Sequence, residues 1–474
     1  MTGGLMQLVA YGAQDIYLTG NPMITFFKVV YRRHTNFAME SIQQTFSGTV
    51  DFNSRVRATI SRNGDLISGA FIEFTLPHLS NTGTDAARWI DSLGHYLVKE
   101  VEVEIGGQLI DRHYADWLEI WAQLTVPASQ ASSYFEMIGL DGRTGLQTLS
   151  NQAAPADPVV APGANLNANG NRVLYVPLQF WFCRNYGLAL PLIALQYHEV
   201  NITLTIESLN NVAFSLATGL NANTVRTNYT TTGSLGATLW VDYIYLDTDE
   251  RRRFAQVSHE YLIEQLQFNG NETYNRSTQH IDLNFNHPCK ELIWVSRQND
   301  MSAQKQWINF TNTQADSTKI GADAEYHGRP KLTYGQGPTA TTAAAITTYR
   351  QNVSSNMTQR AILKLNGHDR FESREGTYFN RVQVLNHHTK ATASPGINVY
   401  SFALKPEDHQ PSGTCNFSRI DNARLTLTLN TNVSVDDGAG NVTAGTLAGV
   451  TKVFATNYNV LRIMSGMGGL AYSN

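Results

Sequence analysis

Charged residues are scarce in this chain. They make up only 16% of its 474 residues, whereas about a quarter is usual in soluble proteins. Lys and Arg number 35 against 39 Asp and Glu, which gives a net charge of -4. Proteins that bind nucleic acid need clustered Lys and Arg to neutralise phosphates, so this balance argues against direct nucleic-acid binding. The polar surface must come mainly from Asn, Thr, Ser and Gln, which suits sheets and loops.

Cysteine is also rare, and the three cysteines lie far apart in the sequence. An odd number without a Cys-x-x-Cys pair predicts no disulfide framework. We therefore expect Cys183, Cys289 and Cys415 to be small buried hydrophobic residues in a reducing compartment.

Long apolar runs are missing as well. The longest one, Leu188 to Leu195, is short and contains Pro191. Because a bilayer span needs about 20 apolar residues, we expect no integral membrane segment. The amino-terminal residues lack the basic start and continuous apolar block of a signal peptide. These absences predict a soluble protein made in the cytosol.

What the sequence does contain is β-strand periodicity. Val101, Val103 and Ile105 alternate with glutamates, which is the two-residue period of a strand. The glycines at 106–107 predict a turn, and Asn-Gly within residues 62–65 predicts a second tight hairpin. Many short strands, few helices and long loops form the sequence pattern of a jelly roll.

The same order of motifs occurs twice along the chain. Each motif pairs a β-rich run with a tight polar turn and then an aromatic or aliphatic segment. The three segments of the first half are 55–74, 101–117 and 188–206, and their counterparts in the second half are 280–295, 362–379 and 411–429. The pattern predicts an internal duplication into two all-β units, which is more typical of a building block than of an enzyme. The chain length also suits two domains of about 200 residues each.

This duplication suggests how the chain is divided. We expect an N-terminal arm over 1–36, a first unit over 37–248, a bridging helix over 249–259 and a second unit over 260–474 with a Gly-rich tail.

Three helices are predicted from local signals. In the arm, Asn-Pro at 21–22 indicates the start of a short helix over 23–33. An apolar stripe at three- and four-residue spacing predicts a helix over 111–124. Thr248 is the expected cap of the bridging helix, with acidic residues in its first turn.

No residue pattern indicates an active site. The sequence has no Gly-rich phosphate loop, no His-Glu-x-x-His zinc motif and no Gly-x-Ser-x-Gly nucleophile elbow. We therefore expect no enzymatic activity, no cofactor and no metal.

Three charged groups bear on this expectation. Glu100, Glu102 and Glu104 share a strand face and could bind a divalent cation or contact another subunit, although a solvated face is favoured. The arginines at 251–253 are expected to pair with acidic neighbours or lie in solvent. The histidines at 387–388 make a poor metal site.

Asn-x-Ser/Thr triplets recur along the chain, although chance is a sufficient explanation in a sequence rich in Asn and Thr. The triplets in predicted loops are the better candidates for glycosylation. They begin at Asn309, Asn352, Asn356, Asn432 and Asn441.

Longer blocks carry a family resemblance. Residues 3–46, beginning GGLMQLVAYGAQDIYLTGNPMITFFKVVYRR, resemble the amino terminus of the major capsid proteins of large icosahedral DNA viruses, in particular the chloroviruses of green algae. Further blocks agree in order to the end of the chain. They include SRNGDLI at 61, EIGGQLIDRHYADW at 104, GLALPLIALQYHEV at 187 and NYNVLRIMSGMGGLAY at 457.

The resemblance implies a double jelly roll, which is two tandem eight-stranded β-sandwiches. It implies a structural protein whose homotrimers form capsomers with a six-sided outline, in contact with neighbouring capsomers and minor capsid proteins in the outer shell of the virion. Relatives carry glycans on outer loops, often outside the usual triplet. Two alternatives stay open, namely a minor capsid paralogue and a carbohydrate-binding jelly-roll protein.

Overall fold

The structure is a computed structural model in which the chain divides into two compact units, Met1–Phe37 and Ala38–Asn474. The residues that it describes are 3–23, 26, 33–81, 86–139, 173–216, 225–227, 229–303, 305–312, 356–389, 395–431, 433–436 and 442–472.

The amino-terminal unit contains two short helices, α1 (Gly3–Val9) and α2 (Ile16–Thr19). Its described residues expose large apolar side chains, among them Leu8, Tyr17 and Phe26. Most of the helix predicted over 23–33 lies outside the described residues.

The second unit is built mainly from sixteen strands, eight in each half of the chain. The first eight are β1 (Phe37–Gln44), β2 (Arg55–Thr59), β3 (Leu66–Thr75), β4 (Val98–Ile105), β5 (Gln108–Tyr114), β6 (Val173–Pro177), β7 (Val200–Ile206) and β8 (Gly236–Leu246). The second eight are β9 (His259–Tyr274), β10 (Thr278–Asp282), β11 (Pro288–Gln298), β12 (Thr358–Leu365), β13 (His368–Glu375), β14 (Asn398–Ser401), β15 (Ala423–Leu429) and β16 (Gly449–Met464).

The two sets of strands have the same topology. In the first set the sheet orders are β1-β8-β3-β6 and β2-β7-β4-β5. In the second set they are β9-β16-β11-β14 and β10-β15-β12-β13, so that each strand is replaced by the one eight places later. Each set is a two-sheet jelly roll, and the fold is a double jelly roll, as expected. We call strands β1–β8 the first roll and β9–β16 the second roll.

The topology also confirms the duplication read from the sequence. The first motif of each half covers β2–β3 or β10–β11, and the second covers β4–β5 or β12–β13. The third motif covers a two-residue strand and then β7 or β15. These two short strands, Leu190–Pro191 and Cys415–Asn416, pair with β3 and β11 respectively. The six segments therefore occupy equivalent positions in the two rolls.

Short strands complete the smaller sheets and hairpins. They are His78–Asn81, Ala86–Trp89, Ala213–Leu216, Val225–Arg226, Tyr229–Thr232, Ser434–Asp436, Val442–Ala444 and Met467–Leu470. The last of these pairs with the end of β16, so the Gly-rich tail forms a hairpin.

The two equivalent hairpins β4–β5 and β12–β13 use the same turn chemistry. Gly106 and Gly107 have φ of 58° and 84°, and Asn366 and Gly367 have φ of 51° and 81°. Two consecutive residues with positive φ form the turn that matches the twist of antiparallel strands.

The hairpin predicted at residues 62–65 is wrong, because β2 and β3 lie in opposite sheets. Gly64 serves another purpose there. A Cβ atom at this position would lie 2.8 Å from the Cβ atom of Tyr243.

Three large apolar clusters fill the rolls and the space between them. One fills the first roll and extends to Ile263, Leu461 and Ile463 of the second. Another fills the sandwich of the second roll, and the third lies between the two rolls. The alternating burial of β2, whose Val56 and Ala58 are buried between exposed neighbours, shows how one strand face is turned inward.

The helices of this unit are short and lie between strands. They are α3 (Leu93–Leu97), α4 (Ala115–Thr125), α5 (Ala131–Met137), α6 (Trp181–Arg184), α7 (Leu209–Val212), α8 (Thr248–Gln256), α9 (Asn299–Ala303) and α10 (Gln383–His387). A π-helical turn at Tyr378–Val382 leads into α10. Single 3-10 turns lie at Tyr186–Leu188, Leu192–Ala194 and Phe417–Arg419.

Two predicted helices have different starts from those expected. The helix predicted over 111–124 begins at Ala115, because residues up to Tyr114 pair with β4. Helix α8 is capped by Asp247, whose side chain accepts a hydrogen bond from the backbone of Thr248. No helix among the described residues is long and apolar enough to cross a membrane.

Candidate assembly surfaces

Helix α4 of the first roll packs against the second roll. Its apolar stripe consists of Trp117, Ile120, Trp121 and Leu124, all of which are buried. The ring centroids of Trp117 and Phe454 on β16 lie 5.7 Å apart. The other buried partners are Ile293, Val295, Phe310, Val384, Ile397 and Val399.

Strand alternation explains why the second roll offers an apolar surface to this helix. In β11, Leu292 and Trp294 belong to the cluster inside the sandwich, whereas Ile293 and Val295 belong to the cluster around α4. A strand with apolar residues on both faces is typical of a sheet that is covered on both sides. We call the outward side of β9-β16-β11-β14, where α4 lies, the covered face.

A buried ionic network fixes the start of α4. Asp116, in its first turn, binds Arg297 through a short ion pair and Lys452 at 2.6 Å. Tyr96 donates its hydroxyl to the same carboxylate at 3.0 Å. Burial alone would raise the pKa of the Asp116 carboxyl, but the charges of Arg297 and Lys452 hold it well below its usual value. The first roll thus supplies an anion and the second roll the two cations.

A second charged chain joins the rolls. Glu264 on β9 accepts from Arg184 of α6 at 3.1 Å and from the fully buried Lys290 at 2.7 Å. The guanidinium of Arg184 lies 4.1 Å from the ring centroid of Trp121. The opposite charges compensate one another, as burial requires.

The equivalent outward face of the first roll remains partly open. Phe71 on β3 lies opposite Trp240 on β8 in the register, as Ile293 lies opposite Phe454 in the second roll. The rings of Phe71 and Trp240 stack with centroids 6.2 Å apart. Tyr175 on β6 lies 6.1 Å from Phe71 and is 40% exposed. We call Phe71, Tyr175 and Trp240 the open face.

The helical segment after β13 is the counterpart of α4, since each follows the equivalent strand directly. Part of it is buried, with Phe379 inside the second roll and Val384 in the cluster between the rolls. Val382 and Leu385 point outward and are 44% and 66% exposed. His387, at the end of this segment, is hydrogen-bonded to the backbone carbonyl of Leu404. Leu404 itself is 73% exposed. We call Val382, Leu385 and Leu404 the apolar knob.

Two of the three glutamates of β4 form ion pairs within their own sheet, and Glu100 accepts a hydrogen bond from Thr205. Glu102 is 3% exposed and binds Arg55 at 2.7 Å as well as Arg112. Glu104 binds Arg57 at 2.7 Å. The solvated face favoured from the sequence is wrong for Glu102, because cross-strand arginines cover its carboxylate. Within the described part of the chain, no cluster of three or more His, Cys, Asp and Glu residues could hold a metal ion.

The two basic motifs also have structural partners. Arg251 of α8 binds Asp65 at 3.0 Å, as expected for pairing with an acidic neighbour. His388 is buried between Glu407 at 2.8 Å and Glu291 at 3.1 Å. Burial alone would lower the pKa of His388, but these two carboxylates raise it to about 9. His388 is therefore a buried cation.

The glycan candidates fare differently. Asn309 is 1% exposed, and its amide group donates to Gln306 and accepts from Thr311. Asn356 is half-buried and its amide nitrogen donates to Gly376 and to Asn398. A glycan needs a free amide nitrogen in an open place, so the structure argues against both residues. Three candidates lie outside the described residues, namely Asn352, Asn432 and Asn441.

Sequence reasoning missed the open face, although a signal was present. The segment Phe71-Ile72 places apolar residues on both sides of β3, as the run Leu292-Ile293-Trp294-Val295 does in β11. Consecutive apolar residues in a strand indicate that both sheet faces are covered.

Comparisons with known proteins agree along the whole chain. Residues 25–247 match the family model "Major capsid protein N-terminus", and residues 250–469 match "Large eukaryotic DNA virus major capsid protein". The chain is 47% identical to the major capsid protein of Phaeocystis pouchetii virus and 45% identical to that of Paramecium bursaria Chlorella virus 1, with 100% of each chain covered. The solved PBCV-1 virus capsid protein has a TM-score of 0.71 at 40% identity and covers 95% of this chain and 100% of its own. The resemblance inferred from the sequence blocks is thereby confirmed.

Proposed function

Since this chain belongs to the family of major capsid proteins of large eukaryotic DNA viruses and is a structural protein of the virion capsid, we propose that three copies assemble into a capsomer with a six-sided outline. The two jelly rolls of each chain provide two of the six sides. Closed cyclic symmetry makes such a trimer a discrete particle, and weaker contacts between trimers then build the shell.

The observation that carries this proposal is the unequal covering of two equivalent faces. In the second roll, the covered face is buried by α4 of the first roll. In the first roll, the open face keeps Tyr175 partly exposed, while the apolar knob of the second roll is exposed in turn. We propose that the apolar knob on the second roll of one chain docks on the open face of the first roll of the next chain. The contact between chains then resembles the contact inside each chain, where α4 lies on the covered face. A head-to-tail contact of this kind forms a ring when its rotation closes.

The proposal includes the division of the chain. The arm is residues 1–36, the rolls span 37–248 and 260–474, and the helix at 249–259 connects them. The positions of β1–β8 and β9–β16 on either side of α8 support this division. We propose that the arm contacts the virion interior, minor capsid proteins or neighbouring capsomers, and that the Gly-rich tail does so independently.

The remaining parts of the proposal concern chemistry and location. The protein is made in the host cytoplasm, catalyses no reaction and binds no nucleic acid directly, which its net charge of -4 supports. Covalent glycans, where present, lie on outer loops, and Asn352, Asn432 and Asn441 remain the candidates.

Light scattering after size exclusion tests the trimer. One chain has a mass of 52.6 kDa, so a trimer has 3 × 52.6, or about 158 kDa, before any glycan. We expect this mass to persist on dilution. A clean monomer at all concentrations would overturn the proposal.

Charge substitutions test which surfaces meet. Leu385→Glu in the apolar knob and Tyr175→Glu on the open face each place a charge in the proposed contact, so we expect both variants to elute as monomers. Leu109→Glu is the matched control, because Leu109 is 41% exposed on the opposite sheet of the first roll. If both test variants remain trimers, the subunit contact lies elsewhere.

A further inference from the structure

Two cysteines that are far apart in sequence face each other in the second roll. Cys289 lies in β11, and Cys415 lies in the short antiparallel strand Cys415–Asn416. The register pairs Cys289 directly with Cys415, and Pro288 with Asn416. Directly opposite residues of neighbouring strands have their side chains on the same side of the sheet.

The backbone spacing of this pair suits a disulfide. The backbone nitrogen of Phe417 donates to the carbonyl of His287 at 3.1 Å, which makes these two residues a hydrogen-bonded pair. Pair types alternate along antiparallel strands, so Cys289 and Cys415 are of the hydrogen-bonded type as well. Their Cα atoms are then about 5.5 Å apart, which lies within the range of roughly 4.4 to 6.8 Å that disulfides span. Cβ atoms of such a pair are also about 5.5 Å apart, so the short strand has to move toward β11 by about 1 Å to bring them within the roughly 3.5 to 4.5 Å of a disulfide.

The surroundings bring both thiols to one apolar cluster but expose them unequally. Cys289 is fully buried in the cluster of the second roll, and Cys415 packs against the same cluster while remaining partly exposed. Burial raises the pKa of both thiols, and for Cys289 a charge on Cys415 would raise it further, as expected of close neighbours. Cys415 is therefore the thiol that a reagent in solution reaches first.

The equivalent position of the first roll serves as an internal comparison. There, Leu66 pairs with Pro191 and Ile67 with Leu190, in the same sheet geometry. Neither pair carries a thiol, so the fold itself does not require a cross-link at this place.

We propose that Cys289 and Cys415 form an intramolecular disulfide in an oxidising medium, with a low-molecular-weight disulfide such as oxidised glutathione as the oxidant. The Cys415 thiolate attacks one sulfur of oxidised glutathione, forms a mixed disulfide and releases one glutathione. The Cys289 thiolate then attacks the Cys415 sulfur, forms the protein disulfide and releases the second glutathione. The two protein thiols are oxidised, their protons end on the two glutathione thiols, and the glutathione disulfide is reduced.

The cross-link would join two residues that lie far apart in the sequence. It closes a chain segment from 289 to 415, and long closed loops restrict the unfolded chain most strongly. The reduced protein would assemble in the cytosol, and oxidation would then raise the thermal resistance of the finished shell.

Thiol counting under denaturing conditions tests the proposal on the purified full chain. After incubation with oxidised glutathione, we expect wild type to lose two of its three thiols and the mass of two hydrogens. A non-reducing peptide map should show the Cys289 and Cys415 peptides joined. The melting temperature should rise and return to its starting value with dithiothreitol.

Variants at each cysteine provide the controls. Cys415→Ser is the first test variant, because its side chain is partly exposed and a hydroxyl is tolerated there more readily than at Cys289. It should keep both remaining thiols and show no shift of melting temperature on oxidation. Cys183→Ser should lose both remaining thiols, as wild type loses two.

Three results would overturn the proposal. The first is wild type that keeps all three thiols after oxidation. The second is a stable glutathione adduct on Cys415 without the cross-link. The third is a peptide map that joins Cys183 to another cysteine. None of these results depends on trimer formation, so the disulfide and the capsomer can fail separately.

Discussion

Trp117 is the side chain whose removal should separate stability of the chain from assembly of the capsomer. It is fully buried on α4, with ring centroids 5.4 Å from Trp121 and 5.7 Å from Phe454. Trp117→Ala would leave a cavity between the two rolls. The neighbouring rings of Trp121 on α4 and Phe454 on β16 are held by their own elements, so they can fill the cavity only partly. Substitutions of this kind cost about 3–5 kcal/mol.

The assay is denaturation by urea, followed by far-UV circular dichroism, which does not depend on the deleted indole. Trp240→Ala is the matched control, because Trp240 is only partly buried on the open face and its ring borders solvent rather than a second sheet. We expect Trp117→Ala to lower the free energy of unfolding of the isolated chain by several kcal/mol. Trp240→Ala should lower it by less and weaken trimers instead.

A double-jelly-roll chain need not unfold in a single step, so each transition has to be fitted separately. The expected change lies in the transition that separates the rolls. A loss below about 1 kcal/mol for Trp117→Ala would refute the reasoning, because it would mean that the α4 contact does not hold the rolls together.

Two further predictions concern ionisation and glycosylation. The pKa of His388 is about 9 in the folded protein, against 6.5 in the unfolded chain. The protonated side chain therefore stabilises the fold fully below pH 6.5, and this stabilisation is lost as the pH rises through 9. The resulting change in the free energy of unfolding is on the order of 3 kcal/mol. Chemical denaturation between pH 6 and 10 should show this loss, and His388→Gln should flatten that part of the profile; an unchanged profile would contradict the assignment of His388 as a buried cation. Peptide mass spectrometry of virion protein should find Asn309 and Asn356 unmodified, because both amides are engaged inside the fold, and a glycan on either residue would contradict the described packing.

The sequence by itself determined the strand character and the order of the elements. Apolar residues alternate in β4, and the same three motifs recur in the second half at topologically equivalent places. The turn glycines at 106–107 also predicted the hairpin that the structure contains. These features depend on residues that are close together in the chain, where periodicity and backbone preference act directly.

Local signals failed where distant strands decide the outcome. Asn-Gly at 63–64 is a good hairpin signal, but β2 and β3 pair with other strands and the turn crosses between sheets. The apolar stripe that begins at Tyr114 predicted a helix from 111, yet pairing with β4 keeps Asp111 to Tyr114 extended. Here the hydrogen bonds of the ladder outweigh a weak helical preference.

Only the tertiary structure decided which charged and sulfur-containing side chains meet. Asp116 and Lys452 are separated by most of the chain but lie 2.6 Å apart, and His388 meets Glu291 from a distant part of the sequence. Cys289 and Cys415 face each other for the same reason. Periodicity states which face of a strand is apolar, whereas pairing between strands is set by how the sheets pack, and that depends on all sixteen strands together.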